Sequence, residues 1–233
     1  MLGLGNSLVG GAPPSEFTPA DLSGLIHWYK FDTGITQATV GGTANQVTAW
    51  QDQKGSNHLL KSDFDSSGTV DADEVPEYSS GAIKFTNATE NLTFTSQLAL
   101  GAFSIYGRVK SSNFSDVLFE KANDAEFVKF QTTTEFRIQP GGSRQDLAIS
   151  GDASLANNTK FTFGFERNGD GNIFAHANGE YSETDSEVAI SNTLVLDRMG
   201  APLVTMWVYE IVICNAAITA GQRTKLNAYL DAI

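Results

Sequence analysis

The segment Asp63-Phe-Asp65-Ser-Ser67-Gly68-Thr69-Val70-Asp71-Ala-Asp73-Glu74 carries the sharpest chemical pattern in the chain. Carboxylates or hydroxyls fall at the first, third, fifth, ninth and twelfth places of a loop with glycine sixth and apolar Val70 eighth, the spacing of the EF-hand calcium loop. A hard cation needs about six or seven oxygens converging on one point, and alternate side chains plus one carbonyl supply them while the glycine makes the sharp turn. The ligands expected for Ca2+ are Asp63, Asp65, Ser67, the Thr69 carbonyl, Asp71 and a bidentate Glu74. The flanks do not continue as helices, since Leu59-Leu60-Lys61 is short and Val75-Pro76 breaks helix formation. The reading is an EF-like insertion in a β protein, set against a solvated acidic loop.

A second set of carboxylates alternates in Glu183-Thr-Asp185-Ser-Glu187. Alternate strand positions share a face, and retaining glycoside hydrolysis needs two carboxyl groups about 5 to 5.5 Å apart. The polar surroundings suit a loop better, and the chain is expected not to be an enzyme. Sugar binding needs an exposed aromatic platform, for which Trp28, Trp50 and Tyr78 are the candidates, with core packing as the alternative. His27, His58 and His176 stand apart from one another, and Cys214 is the only cysteine, so neither a disulfide framework nor a thiolate metal site is expected. With 27 acidic against 15 basic residues, and the basic ones scattered along the chain, no nucleic-acid binding is expected.

The elements that must position these groups centre on Leu203 to Cys214, the longest nearly unbroken apolar run, rich in β-branched and aromatic residues. It is too short to span a membrane and reads as a strand buried on both faces. Its one charge, Glu210, must find hydrogen-bond donors there. Thr219 and Gln222 have capping-box spacing, and Leu226, Tyr229, Leu230 and Ile233 follow at helical period, so the chain closes on an amphipathic helix. Phe161, Phe163 and Phe165 alternate with Thr162, Gly164 and Glu166, which predicts a strand with one packed and one wet face. Phe127 to Gln131 and Glu135 to Gln139 read as a hairpin, and Asn178-Gly179 is a strong type I′ turn signal. About a dozen short strands, turn residues between them and one terminal helix describe an all-β antiparallel sandwich or jelly roll over residues 18–233. Residues 1–17, rich in glycine with paired prolines, read as an extended arm whose Leu2, Leu4, Leu8 and Val9 dock on a partner.

Leu22-Ser-Gly-Leu-Ile-His-Trp-Tyr-Lys-Phe-Asp32, Val47-Thr-Ala-Trp-Gln-Asp-Gln-Lys-Gly55, Ala82-Ile-Lys-Phe85, Gly171 to Gly179 and the Trp207 strand with its helix resemble the concanavalin A-like, laminin-G-type jelly roll. The variant is that of virion structural proteins of tailed bacteriophages, notably marine and cyanobacterial ones, where a Gly/Leu-rich start similar to Met1 to Gly11 also occurs. The resemblance implies structural roles for Trp28 and for the turn from Trp50 to Asp52. Lys54 stands where that family usually has serine. Glycosidases of this fold bury apolar side chains where Thr184 and Ser186 stand. The resemblance further implies a virion protein, on capsid or tail, held to other virion proteins by its arm and assembled in a bacterial cytoplasm without membrane insertion. A calcium-dependent carbohydrate-binding module, touching host surface polysaccharide, is the second reading, and homo-oligomerisation is left open. Fold alone does not choose between them.

Overall fold

The computed structural model describes residues 16–122, 126–149, 155–182, 190–200 and 202–233. After a turn of 3-10 helix at Pro19–Asp21 come β1 (Leu25–Tyr29), β2 (Ile35–Val40), β3 (Thr43–Trp50), β4 (Leu59–Lys61), β5 (Glu77–Ser79) and β6 (Ala82–Phe85). They are followed by β7 (Asn91–Leu100), β8 (Phe103–Ser111), β9 (Asp116–Glu120), β10 (Phe127–Thr132), β11 (Glu135–Gln139) and β12 (Gln145–Ala148). The last are β13 (Lys160–Arg167), β14 (Ile173–Ala177), β15 (Glu180–Ser182), β16 (Leu194–Gly200) and β17 (Met206–Cys214), and the helix α1 (Ala220–Asp231) closes the chain. The fold is the antiparallel β-sandwich that the alternation of apolar residues and turns predicts.

One sheet is organised on β17. β8 runs along one side of it, while β6 and β1 share the other, beside Met206–Val208 and Ile211–Cys214 respectively. Beyond β8 lie β13, β14 and β15. The opposing sheet runs β2, β3, β4, β7, β16, β9, β10, β11, β12. Between them Tyr29, Trp50, Phe85, Phe119, Phe130, Phe136, Phe161, Phe163 and Phe165 are buried. Phe130 meets Phe161 and Phe163 edge-on at 5.2 Å, an arrangement that the ring quadrupoles favour.

The second face of the first sheet is only half open. α1 packs Leu226 and Leu230 over Tyr106, Val212 and Cys214, together with Leu22, Leu25 and Ile218. Thr219 accepts from the Gln222 amide and the Gln222 side chain reciprocates, so the helix begins where the capping signal places it. The covering corrects one expectation. Thr162 and Glu166 on β13 are buried, not wet, because α1 lies above them. Gly164 is required there, since a Cβ would stand 2.4 Å from the Tyr106 ring. The hairpin from β14 to β15 turns on Asn178 and Gly179, both at positive φ.

β17 is a central strand but departs from the expectation in two places. Leu203, placed at the start of the run, is 70% exposed and lies outside the strand, and Trp207 is only partly buried. A bulge between Val208 and Glu210 shifts the register against β8; Trp207 lies outside the cluster that α1 covers, while Tyr209, 4% exposed, is buried beside Phe31 and Lys160. No helix among the described residues is long and apolar enough to cross a membrane.

Candidate functional site

Among the buried carboxylates, Glu210, Asp52 and Glu166 tie distant elements together. Glu210 receives the Trp28 indole N–H at 2.6 Å and the Phe31 amide at 2.9 Å, the donors that a mid-strand carboxylate requires. Asp52 receives the Trp28 and Lys54 amides and lies 2.7 Å from His27 Nδ1. Burial alone would raise its pKa, but His27 and the amides outweigh burial and pull it down to about 2. Glu166 binds Arg223 at 2.7 Å and accepts from the Tyr106 hydroxyl at 2.6 Å, tying α1 to the sheet.

In the acidic loop, carboxylate oxygens of Asp63, Asp65 and Glu74 lie within 4.8 Å of one another. Asp63 accepts from the Ser67 and Gly68 amides, and the Gly68 amide is the main cause that lowers its pKa. Glu74, 4% exposed, accepts from the amides of Phe64, Asp65 and Asp71 and so closes the loop end to end. The remaining expected ligands turn elsewhere. The Ser67 hydroxyl donates to the Thr69 carbonyl, and Asp71 stands at the N-cap of the short 3-10 turn Ala72–Glu74, its amide donating to the Glu74 carboxylate. Three hard oxygen donors with a sharp glycine turn at Gly68 suit calcium, and backbone carbonyls and water would complete its shell.

The aromatic candidates separate. Trp50 is fully buried, its indole N–H on the Lys30 carbonyl and its ring against Tyr29, so the expectation of a sugar platform there is corrected: it is core. Trp28 is half-buried beside the helix, held by Glu210, with the Lys30 ammonium 5.2 Å from its ring centroid. Tyr78 is partly exposed and donates its hydroxyl to Asp32; burial and that carboxylate push its pKa up to about 12.

The aromatic residue that the sequence reading overlooked is Trp207. Register sets Lys84 of β6 on one side of it and Lys110 of β8 on the other, and Lys160 of β13 lies beyond Lys110. The Lys110 ammonium sits 3.6 Å from the Trp207 ring centroid, and that of Lys160 is 4.1 Å from the Tyr209 centroid. Phe31 stands 6.3 Å from Tyr209. Cations scattered along the chain are thus gathered in space, a fact that only pairing register could reveal. The alternation Lys84, Trp207, Lys110 has no signature within any one strand.

The carboxylates Glu183, Asp185 and Glu187 and the arm residues Leu2, Leu4, Leu8 and Val9 lie outside the described residues.

No family model and no curated protein matches the chain. Among solved structures it is similar to the Trypanosoma rangeli sialidase, with a TM-score of 0.58 at 10% identity over 89% of this chain and 33% of the sialidase. It is also similar to the receptor binding domain of a botulinum neurotoxin C/D mosaic serotype, with a TM-score of 0.60 at 12% identity over 90% of this chain and 51% of that one. A botulinum neurotoxin type C structure, whose cell entry depends on interaction with two ganglioside molecules, gives a TM-score of 0.55 at 15% identity, again over 90% and 51%. The chain spans about a third of the sialidase and half of the toxin chains, and at these identities the likeness is one of fold. It overturns the expectation that the chain is not an enzyme, because a fold of this kind occurs in sialidases, which are enzymes.

Proposed function

We propose that this chain is a glycan-binding module that uses the open half of the first sheet. The observation that carries the reading is Trp207, a partly exposed indole mid-sheet, set beside Tyr209 and among long polar side chains. A flat aromatic surface rimmed by hydrogen-bond donors is what sugar rings need, since they present apolar C–H faces edged by hydroxyls. Two neighbours in fold are a sialidase in complex with sialic acid and a neurotoxin that interacts with gangliosides, which supports the same reading. The Asp63 to Glu74 loop is assigned a calcium ion that stiffens a long surface excursion. A virion role, anchored through Leu2, Leu4, Leu8 and Val9, rests on the family resemblance and is compatible with glycan binding by the exposed module.

Affinity electrophoresis through gels containing neutral or acidic polysaccharides tests the proposal. Retardation by at least one polysaccharide that is lost in Trp207→Ala is the expected result. Free migration in every gel would refute it.

A further inference from the structure

The open face has a charge pattern that a neutral sugar does not call for. Glu77, Lys84, Trp207, Lys110 and Lys160 stand abreast across β5, β6, β17, β8 and β13, each paired in register with the next. Cross-strand partners on one face stand roughly 5 Å apart, so like charges placed side by side repel. One row further along, Arg108 lies opposite Thr162 and next to the bulge that carries Tyr209.

The acids near this face are already engaged. Glu77 pairs with Lys84 at 3.2 Å, Asp231 with Arg108 at 2.6 Å, and Glu210 is occupied by Trp28 and Phe31. Among the described residues neither Lys110 nor Lys160 has an Asp or Glu within ion-pair distance; Lys160 donates to the Ile233 carbonyl oxygen at 3.3 Å, and both lean on aromatic rings. Burial, with Arg108 and Lys110 nearby, makes Lys160 give up its proton more readily than a free lysine. A chain of net charge −12 thus places two lysines side by side, neither paired with an Asp or Glu among the described residues, next to a partly exposed indole.

We infer that this row binds an acidic polysaccharide, with the sugar face against Trp207 and a carboxylate or sulfate between Lys110 and Lys160; the inference rests on the glycan-binding reading above. An anion placed there relieves the repulsion and draws the Lys110 ammonium off the Trp207 ring, which frees that face for the sugar. The row from Lys84 to Lys160 crosses three strand spacings, about 14 Å, long enough for a short oligosaccharide. A nucleic acid fits less well, because a chain of net charge −12 repels its dense phosphates, whereas an acidic glycan spaces its charges by whole sugar rings.

The test uses the full chain in EDTA, so that calcium bridging plays no part. Binding is measured by biolayer interferometry to polygalacturonate and alginate and to their methyl esters, which keep the backbone and lose the charge. The expected result is at least tenfold tighter binding to an acidic form than to its ester, a preference that fades as salt rises. Lys110→Gln and Lys160→Gln bring the ratio towards one, and Lys110→Arg retains it. Equal affinity for acid and ester would overturn the acidic class while leaving glycan binding intact. A preference that survives the Lys110→Gln/Lys160→Gln double variant would overturn the site. No binding to either form, when neutral polysaccharides do bind in gels, would overturn the acidic inference alone; no binding to any polysaccharide would remove both readings. Salt-sensitive self-association in sedimentation, abolished by Lys110→Gln, would show that the occupant is a second acidic copy of the chain and would likewise overturn it.

Discussion

Replacing Arg223 by alanine should loosen the helix from the sheet by an amount the geometry allows to be worked out. Arg223 places one nitrogen 2.7 Å and another 3.2 Å from the Glu166 carboxylate, which is 2% exposed. Without Arg223 that carboxylate keeps the Tyr106 hydroxyl at 2.6 Å and His176 at 3.8 Å, too little for a buried charge. Stranding one member of a buried pair costs about 3–5 kcal/mol. Because the Arg223 side chain is 19% exposed and water can follow it in, the lower end applies, about 3 kcal/mol, against a total stability of about 5–15 kcal/mol for a domain. Burial alone would raise the Glu166 pKa, but His176, Arg223 and Tyr106 outweigh it and hold the carboxyl below its usual range. A carboxyl depressed on folding contributes stability above its unfolded pKa that is lost as pH falls through the folded value. His176, whose pKa burial lowers, contributes with the same sign at higher pH. The assay is urea unfolding of wild type, Arg223→Ala, Glu166→Gln and the double variant from pH 4 to pH 8. A coupling of about 2 kcal/mol is expected, with a weaker acid dependence in Arg223→Ala. A cost below about 1 kcal/mol with no coupling would show that Arg223 does not hold the helix to the sheet, since that is what an exposed ion pair gives.

Further outcomes follow from other parts of the structure. Gly164→Ala places a Cβ 2.4 Å from the Tyr106 ring and should cost about 2 kcal/mol or more, read by calorimetry as a Tm several degrees lower; an unchanged Tm would contradict the packing. Asp52 and Asp116 should bend the pH-stability curve in opposite directions. Asp52, down at about 2 from 3.8, contributes stability that is lost as pH falls between those values, and Asp52→Asn should remove that acid loss. Asp116, raised by burial from 3.8 to about 6, contributes stability that is present below 3.8 and lost as pH rises to about 6, so Asp116→Asn should flatten that interval in urea unfolding. Calcium at a hundredfold excess over its dissociation constant should stabilise the metal-stripped chain by about 2.7 kcal/mol, and Glu74→Gln should abolish the effect. Titration calorimetry showing no binding below millimolar calcium would end the metal assignment.

The fold was legible where a signal is local. Period-two alternation in β13, the Asn178-Gly179 turn and the Thr219 capping box each act through near neighbours, and each sits where the residues place it. Glu210 shows how an apparent anomaly within one segment, a charge in an apolar run, points to partners that sequence cannot name; they are Trp28 and Phe31, far back along the chain. What stayed hidden depends on which surface covers which. Thr162 and Glu166 look solvent-facing until α1 is laid across them, and Trp207 looks like core until the bulge and the extent of α1 leave it outside. The acidic loop was legible as a cluster but not as a coordination shell. Asp63, Asp65 and Glu74 converge, whereas the Ser67 hydroxyl takes the Thr69 carbonyl, as short polar side chains in turns commonly do, and Asp71 stands at the N-cap of the 3-10 turn that follows. The lysine row belongs to the same class of hidden feature, because four strands distant in sequence contribute one residue each or pair beside it.

Trp207 forms the floor of the proposed sugar site. Titration calorimetry with an oligosaccharide derived from whichever polysaccharide retards the protein, compared between wild type and Trp207→Ala, addresses it most directly. Removing a central aromatic anchor costs about 2 kcal/mol or more, so the expected affinity is at least tenfold lower with the melting temperature preserved. Equal affinities for the two proteins would contradict it.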